Sequence, residues 1–99
     1  MTDMDHPSRD EIELPAVLHA LSDPVRLGMV RDLAEAGECP CRALNVAVTK
    51  STATHHFKVL REAGLIQQRQ LGTARLNSLR ADDLEARFPG LLSSILAAA

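Results

Sequence analysis

The stretch TKSTATHHFKVLREAG, residues 49–64, decides how the chain is read. It is punctuated as a helix. Thr49 suits an N-cap, because its hydroxyl can accept from an orphan amide of the first turn. Gly64 stands where a C′ residue in the left-handed conformation closes a helix. Between these ends Ala53, Phe57, Leu60 and Ala63 recur at helical spacing, so one face is directed at a core. Ser51, Thr54, His55, Lys58 and Glu62 occupy another side, and all but Glu62 are basic or hydrogen-bonding groups. A helix that is apolar behind and carries short polar groups and lysine in front suits a DNA major groove.

A chain of 99 residues forms one domain. It buries only about two-thirds of its unfolded surface, so pairing of two copies would help it. A hydrophobic content of 45% supports a core and excludes wholesale disorder. No apolar run reaches membrane-spanning length, and the acidic N-terminus is unlike a signal peptide. A cytoplasmic protein without a membrane partner is expected. Cys39 and Cys41 do not make a secreted disulfide framework.

The net charge of −2 argues by itself against nucleic acid, but its distribution reverses that. Residues 1–41 carry three basic and nine acidic groups, a net of −6. Residues 42–80 carry seven basic groups against Glu62 alone, a net of +6, and 81–99 return to −2. The positive block coincides with the helix over 49–63 and the stretch C-terminal to it. Segregated positive charge is a footprint of phosphate binding, although a solvated face would carry it as well.

The rest of the chain divides readily. Residues 1–9 read as a flexible, polar arm containing Pro7. Leu14, Val17, Leu18 and Leu21 recur at helical spacing, placing a first helix from about Ser8 or Leu14 to Leu21. His19 on it reads as a structural or surface histidine. Asp23-Pro24 starts a second helix that Gly37 stops, with Leu27, Val30, Leu33 and Ala34 inward. A short third helix is expected over about 40–46, with Cys39 as N-cap and Cys41 at N2. With the helix at 49–63 it forms a helix-turn-helix over 40–63. The period then changes toward two, and 65–79 read as a two-stranded hairpin turning at Leu71-Gly72, a wing with Arg69 and Arg75 beside its tip. A last helical segment, 82–98, opens on an Asp82–Glu85 capping box. It carries Leu84, Phe88, Leu91, Leu92, Ile95 and Leu96, and Pro89 should kink or split it.

At this point the residues match something known. LSDPVRLGMVRDLAEAGE (21–38), STATHHFKVLREAGLI (51–66) and RQLGTARLNSL (69–79) resemble the ArsR/SmtB family of small winged-helix transcriptional repressors. The resemblance implies a mainly α (α+β) fold, a winged helix-turn-helix of about five helices with a two-stranded wing, as one domain over 10–99. It implies a homodimer formed through the first and last helices, with Leu14, Val17, Leu18, Leu21, Leu91, Leu92, Ile95 and Leu96 at the interface. The implied function is repression by binding double-stranded operator DNA as an inverted repeat. Many members release DNA on binding a metal or metalloid ion, whereas others sense redox state or have no known inducer. The chain departs from the pattern at Ala47, where glycine is frequent. Its last helix also lacks histidine, so the family's zinc site on that helix is not supported.

Lys50, Ser51, Thr52, Thr54, His55 and Lys58 match the DNA-reading face of that family's recognition helix. Lysine serves guanine or phosphate, and the hydroxyls serve either kind of contact. Arg69 and Arg75 suit phosphates or a minor groove. His55 and His56 point about 100° apart, so one is expected to face DNA and the other to pack behind the helix. The absence of Trp and Tyr disfavours a single-strand stacking platform.

Cys39 and Cys41 resemble the cysteine pair that some members use for arsenite or soft metals. A helix N-terminus would lower their thiol pKa and favour metal binding or oxidation. The third cysteine of the arsenic pattern falls at Leu44, so a complete site would draw on His6, an acidic arm residue or another subunit. The plain alternative is two small, semi-buried apolar residues. No cofactor is required; zinc, nickel, cadmium and arsenite are the candidate effectors. Catalysis is not expected, since neither a phosphate loop nor a Ser/His/Asp arrangement is present. Two other readings compete with a self-contained sensor: a winged-helix protein–protein interaction module, and a repressor relying on a separate sensor protein.

Overall fold

A computed structural model describes residues 5–40, 44 and 48–99. Its helices are α1 (Leu14–Leu21), α2 (Pro24–Ala36), α3 (Lys50–Ala63), α4 (Ala81–Arg87) and α5 (Leu91–Ala98). Its strands are β1 (Cys39–Pro40), β2 (Ile66–Leu71) and β3 (Ala74–Leu79). They form one antiparallel sheet in the order β1-β3-β2. The mainly helical winged architecture is the expected one, with the hairpin widened to three strands. Most of the expected third helix, with Cys41 and Ala47, lies outside the described residues.

Local signals set most boundaries. The Asp23 carboxylate accepts from the amides of Val25 at 2.8 Å and Arg26 at 3.2 Å, capping α2. Gly37 ends that helix with φ +76°. Thr49 caps α3 by accepting from the Thr52 amide at 3.3 Å. Gly64 closes it in the left-handed conformation, φ +88°, with the Leu65 amide reaching back to the Leu60 carbonyl. The inward faces of the helices and sheet meet in one core of Ile12, Val17, Val30, Leu33, Leu60, Leu65, Ile66 and Leu84 with their neighbours. Ile12 lies against the Gly64 cap, so the segment before α1 covers the end of α3.

Several expectations are corrected. Cys39 and Pro40 do not open a helix. They pair with Asn77 and Leu76, because the edge of β3 offers backbone partners that a local reading cannot foresee. The hairpin turns one residue later than expected, at Gly72-Thr73, where Gly72 supplies φ +60°. Residues 6–9 are not a loose arm. The Gln68 amide donates to His6 Nε2 (3.0 Å), Arg80 donates to the Pro7 carbonyl (2.7 Å), and Arg9 pairs with Asp83 (2.8 Å). The N-cap of α4 is Arg80 and not Asp82, and Asp83 receives Arg80 as well as Arg9. Pro89 does split the last segment into α4 and α5. Val17 and Leu21 are buried in the chain's own core, so of the expected interface residues on α1 only Leu14 and Leu18 stand exposed. Those on α5 are half-buried against the core.

Candidate nucleic-acid interface

The site is built on α3. Phe57, Leu60 and Ala63 bury its inner stripe, and the 3.6-residue period turns Lys50, Ser51, Thr52, Thr54, His55 and Lys58 to the surface. All six are exposed, as the DNA-reading assignment requires. Hydroxyls organise the first turn. Thr49 Oγ1 lies 2.9 Å from Thr52 Oγ1 and 3.3 Å from Ser51 Oγ. Thr54 Oγ1 donates back to the Lys50 carbonyl at 2.9 Å. Lys50, His55 and Lys58 stand exposed beside these short side chains.

The two adjacent histidines separate as the helical period demands. His55 is exposed, and His56 is buried behind the helix. His56 meets Arg26 of α2, itself buried, with Nη1 3.1 Å from Nδ1. A guanidinium only donates, so His56 Nδ1 accepts and the ring carries its proton on Nε2. Arg26 also donates through Nε to the Ala20 carbonyl (2.8 Å) and through Nη2 to the His19 carbonyl (3.4 Å). Those carbonyls are the negative end of α1, which compensates the buried cation. One side chain thus ties α1, α2 and α3 together.

The wing arginines lie on opposite faces of the sheet. In β2 and β3 the register sets Gln70 opposite Arg75 and Arg69 opposite Leu76. Strand alternation then places Arg75 on the sheet face toward α3 and Arg69 on the other. Arg75 shares a groove of about 680 Å³ with Lys50, Thr54 and Lys58, floored by Phe57, Arg61 and Gln68. Arg69 makes a bidentate pair with Glu38, Nε to Oε2 and Nη2 to Oε1, both 2.8 Å. These hydrogen bonds hold the Glu38 carboxyl below its ordinary range and raise Arg69. Sequence reasoning missed Glu38, Arg26 and the pair of buried amides Gln68 and Asn77. Only the amides left a signal, as polar residues at inward positions of β2 and β3.

Cys39 is half-buried in β1. His6, one of the candidates to complete a thiol metal site, binds the outer edge of β2, with β3 and β2 between it and Cys39. Adjacent strands are about 4.8 Å apart, so the two residues sit at opposite edges of the sheet. Among the described residues no group of three or more His, Cys, Asp or Glu stands where it could hold a metal ion. No described helix is long and apolar enough to cross a membrane.

Comparison with known proteins agrees with this geometry. Residues 21–69 match the family model described as a helix-turn-helix domain. The chain is 38% identical over 82 residues to YceK of Bacillus subtilis strain 168, an uncharacterised HTH-type transcriptional regulator, covering 80% of this chain and 82% of YceK. It resembles the crystal structure of the transcriptional repressor BigR from Xylella fastidiosa with a TM-score of 0.62 and 28% identity, over 76% of this chain and 85% of that one. The fold is shared with a homodimeric winged helix-turn-helix DNA-binding domain from Mycobacterium bovis, a possible ArsR-family regulator. That match has a TM-score of 0.65 and 24% identity, and covers 98% of this chain and 91% of the other.

Proposed function

The chain belongs to the ArsR family of winged helix-turn-helix transcriptional regulators, and from that premise we propose that two copies repress transcription by seating α3 of each in the major groove of an operator. The family is one of regulators and not of enzymes. The observation that carries the proposal is the groove in which Lys50, Thr54 and Lys58 of α3 face Arg75 of the wing. A duplex laid on α3 meets short polar groups at base edges, with lysine and arginine at its phosphates. Ser51, Thr52 and His55 extend the same surface, and Arg69 lies on the other face of the wing, paired with Glu38. Pairing of two copies is supported by the exposed Leu14 and Leu18 and by the homodimeric M. bovis domain of the same fold. It sets half-sites about 34–36 Å apart on an inverted repeat.

Selection of duplexes from a random-sequence pool tests this reading. The wild type enriches an inverted repeat, and its affinity falls steeply with salt. Lys58→Glu abolishes that binding at an unchanged melting temperature. If nothing is enriched, the reading as a protein–protein interaction module takes its place.

Effector control is assigned here to thiol chemistry at Cys39 and Cys41. Oxidation needs no third ligand, whereas zinc, nickel, cadmium or arsenite needs donors that the described residues do not bring to Cys39. Support comes from the position of Cys39 in β1, hydrogen-bonded to the strand that carries Arg75. Cys39→Ser with Cys41→Ser should remove any response of DNA binding to peroxide. A retained response places the effector site elsewhere or on a separate sensor protein.

A further inference from the structure

Two amide side chains are turned into the interior of the sheet. Gln68 of β2 is 3% exposed and Asn77 of β3 is 0% exposed, and the register sets them directly opposite each other. Arg61, in the last turn of α3, donates through Nη1 to Gln68 Oε1 at 2.9 Å. Gln68 Nε2 donates to Asn77 Oδ1 at 2.7 Å, and Asn77 Nδ2 donates to the Cys39 carbonyl at 3.4 Å. The direction of this chain is forced. Arginine can only donate, so Gln68 presents its oxygen to α3 and its nitrogen to Asn77, which must then give its own nitrogen to β1. One line of hydrogen bonds runs from the DNA-facing helix through both wing strands to the far strand.

Stability alone is a poor account of it. Buried amides are costly unless satisfied, and apolar residues of similar volume at both positions would hold the sheet about as well. A line of directed hydrogen bonds has a geometry that apolar packing lacks. Its place is also specific. Arg61 and Gln68 line the groove between Lys50, Thr54 and Lys58 on one side and Arg75 on the other. The line therefore lies between the two elements that must meet DNA together.

We propose that Gln68 and Asn77 are positioning residues for DNA recognition, setting the placement of α3 against the wing with β1 as the fixed end. The proposal rests on the operator reading of α3 and the wing. Neither residue touches DNA; both act through Arg61 and the strands.

The probe is the duplex enriched by the wild type from a random pool, compared with a scrambled duplex of the same length. Gln68→Met with Asn77→Leu still unfolds cooperatively, with a melting temperature lowered by no more than the loss of the Arg61 and Cys39 bonds accounts for. Affinity for the scrambled duplex is unchanged, because no charge is altered. Affinity for the selected duplex falls about tenfold or more, the size of a lost base contact. Gln68→Met alone loses most of the ratio between the two duplexes, while its affinity for the scrambled duplex stays at the wild-type value. That single-site comparison decides the matter should the double variant fail to fold. Wild-type discrimination in Gln68→Met, or equal loss on both duplexes, overturns the proposal. Should the wild type enrich no duplex, the operator reading fails first and the proposal falls with it.

Discussion

Glu38 grips Arg69 with both carboxylate oxygens, each 2.8 Å from a guanidinium nitrogen. The pair spans the end of α2 and the wing, on the sheet face turned away from the groove. Arg69 is thus engaged before any phosphate arrives. Glu38→Gln should free it and remove a negative charge, raising affinity for duplex DNA and steepening the salt dependence by about one counterion. Folding stability should hardly move, since exposed ion pairs contribute little. By the same geometry Arg75→Ala should weaken binding more than Arg69→Ala. Equal losses in a salt-titrated gel shift would mean that both faces of the wing meet DNA.

A methyl group at Gly64 would stand 2.6 Å from Ile12 Cγ1 and 2.9 Å from Cδ1, at a backbone φ of +88°. Ile12 is 1% exposed and has nowhere to retreat. Gly64→Ala therefore combines a left-handed penalty with overpacking, together about 2–4 kcal/mol. Urea unfolding should show a midpoint lowered accordingly. An unchanged midpoint would show that the segment before α1 shifts without cost.

What was legible in the chain was what neighbouring residues decide. The Thr49 cap, the Gly64 stop, the Asp23-Pro24 start and the split at Pro89 each need only a few adjacent positions, and each stands where expected. Contacts between distant residues were not legible. His6 meets Gln68 across 62 positions, and Arg80 meets Pro7 across 73. The strand at Cys39–Pro40 exists only because β3 lies beside it, so the expected helix start lost to tertiary pairing. The DNA-facing side of α3 was readable because helical period separates it cleanly from the core stripe. The wing is the instructive case. A two-residue turn, whether at Leu71-Gly72 or at Gly72-Thr73, already puts Arg69 and Arg75 on opposite faces. That parity is present in the sequence, and treating the two arginines as a pair ignores it.

Gly28 sits inside α2, and beyond its chain neighbours and the local helix backbone no atom lies within 4 Å of where a Cβ would be. Close helix packing therefore does not require it, and its backbone is ordinary helix. Gly28→Ala should stabilise the fold by up to about 1 kcal/mol through propensity and a less disordered unfolded chain. A thermal melt checks this. A lowered midpoint in the presence of a second copy, but not at high dilution, would place Gly28 in a subunit contact.

Acid should loosen the molecule through its cap. The Asp23 carboxyl is held below its ordinary value, first by the backbone hydrogen bond from Arg26 and then by the amide of Val25 and the charge of Arg26. Asp83 is lowered in the same sense by hydrogen bonds from Arg9 and Arg80. A carboxyl with a depressed folded pKa binds protons more readily when unfolded. Its stabilisation is present above the unfolded value, about 3.9, and is lost as the pH falls through the lower folded value. Stability measured by urea unfolding should therefore drop progressively as the pH falls below about 5. Asn is as good an N-cap as Asp, so Asp23→Asn should keep the bonds to Val25 and Arg26 at neutral pH while removing this titration. The variant's stability should fall less steeply with acid than the wild type's. An identical slope would assign the acid sensitivity to Asp83, where Asp83→Asn provides the same comparison.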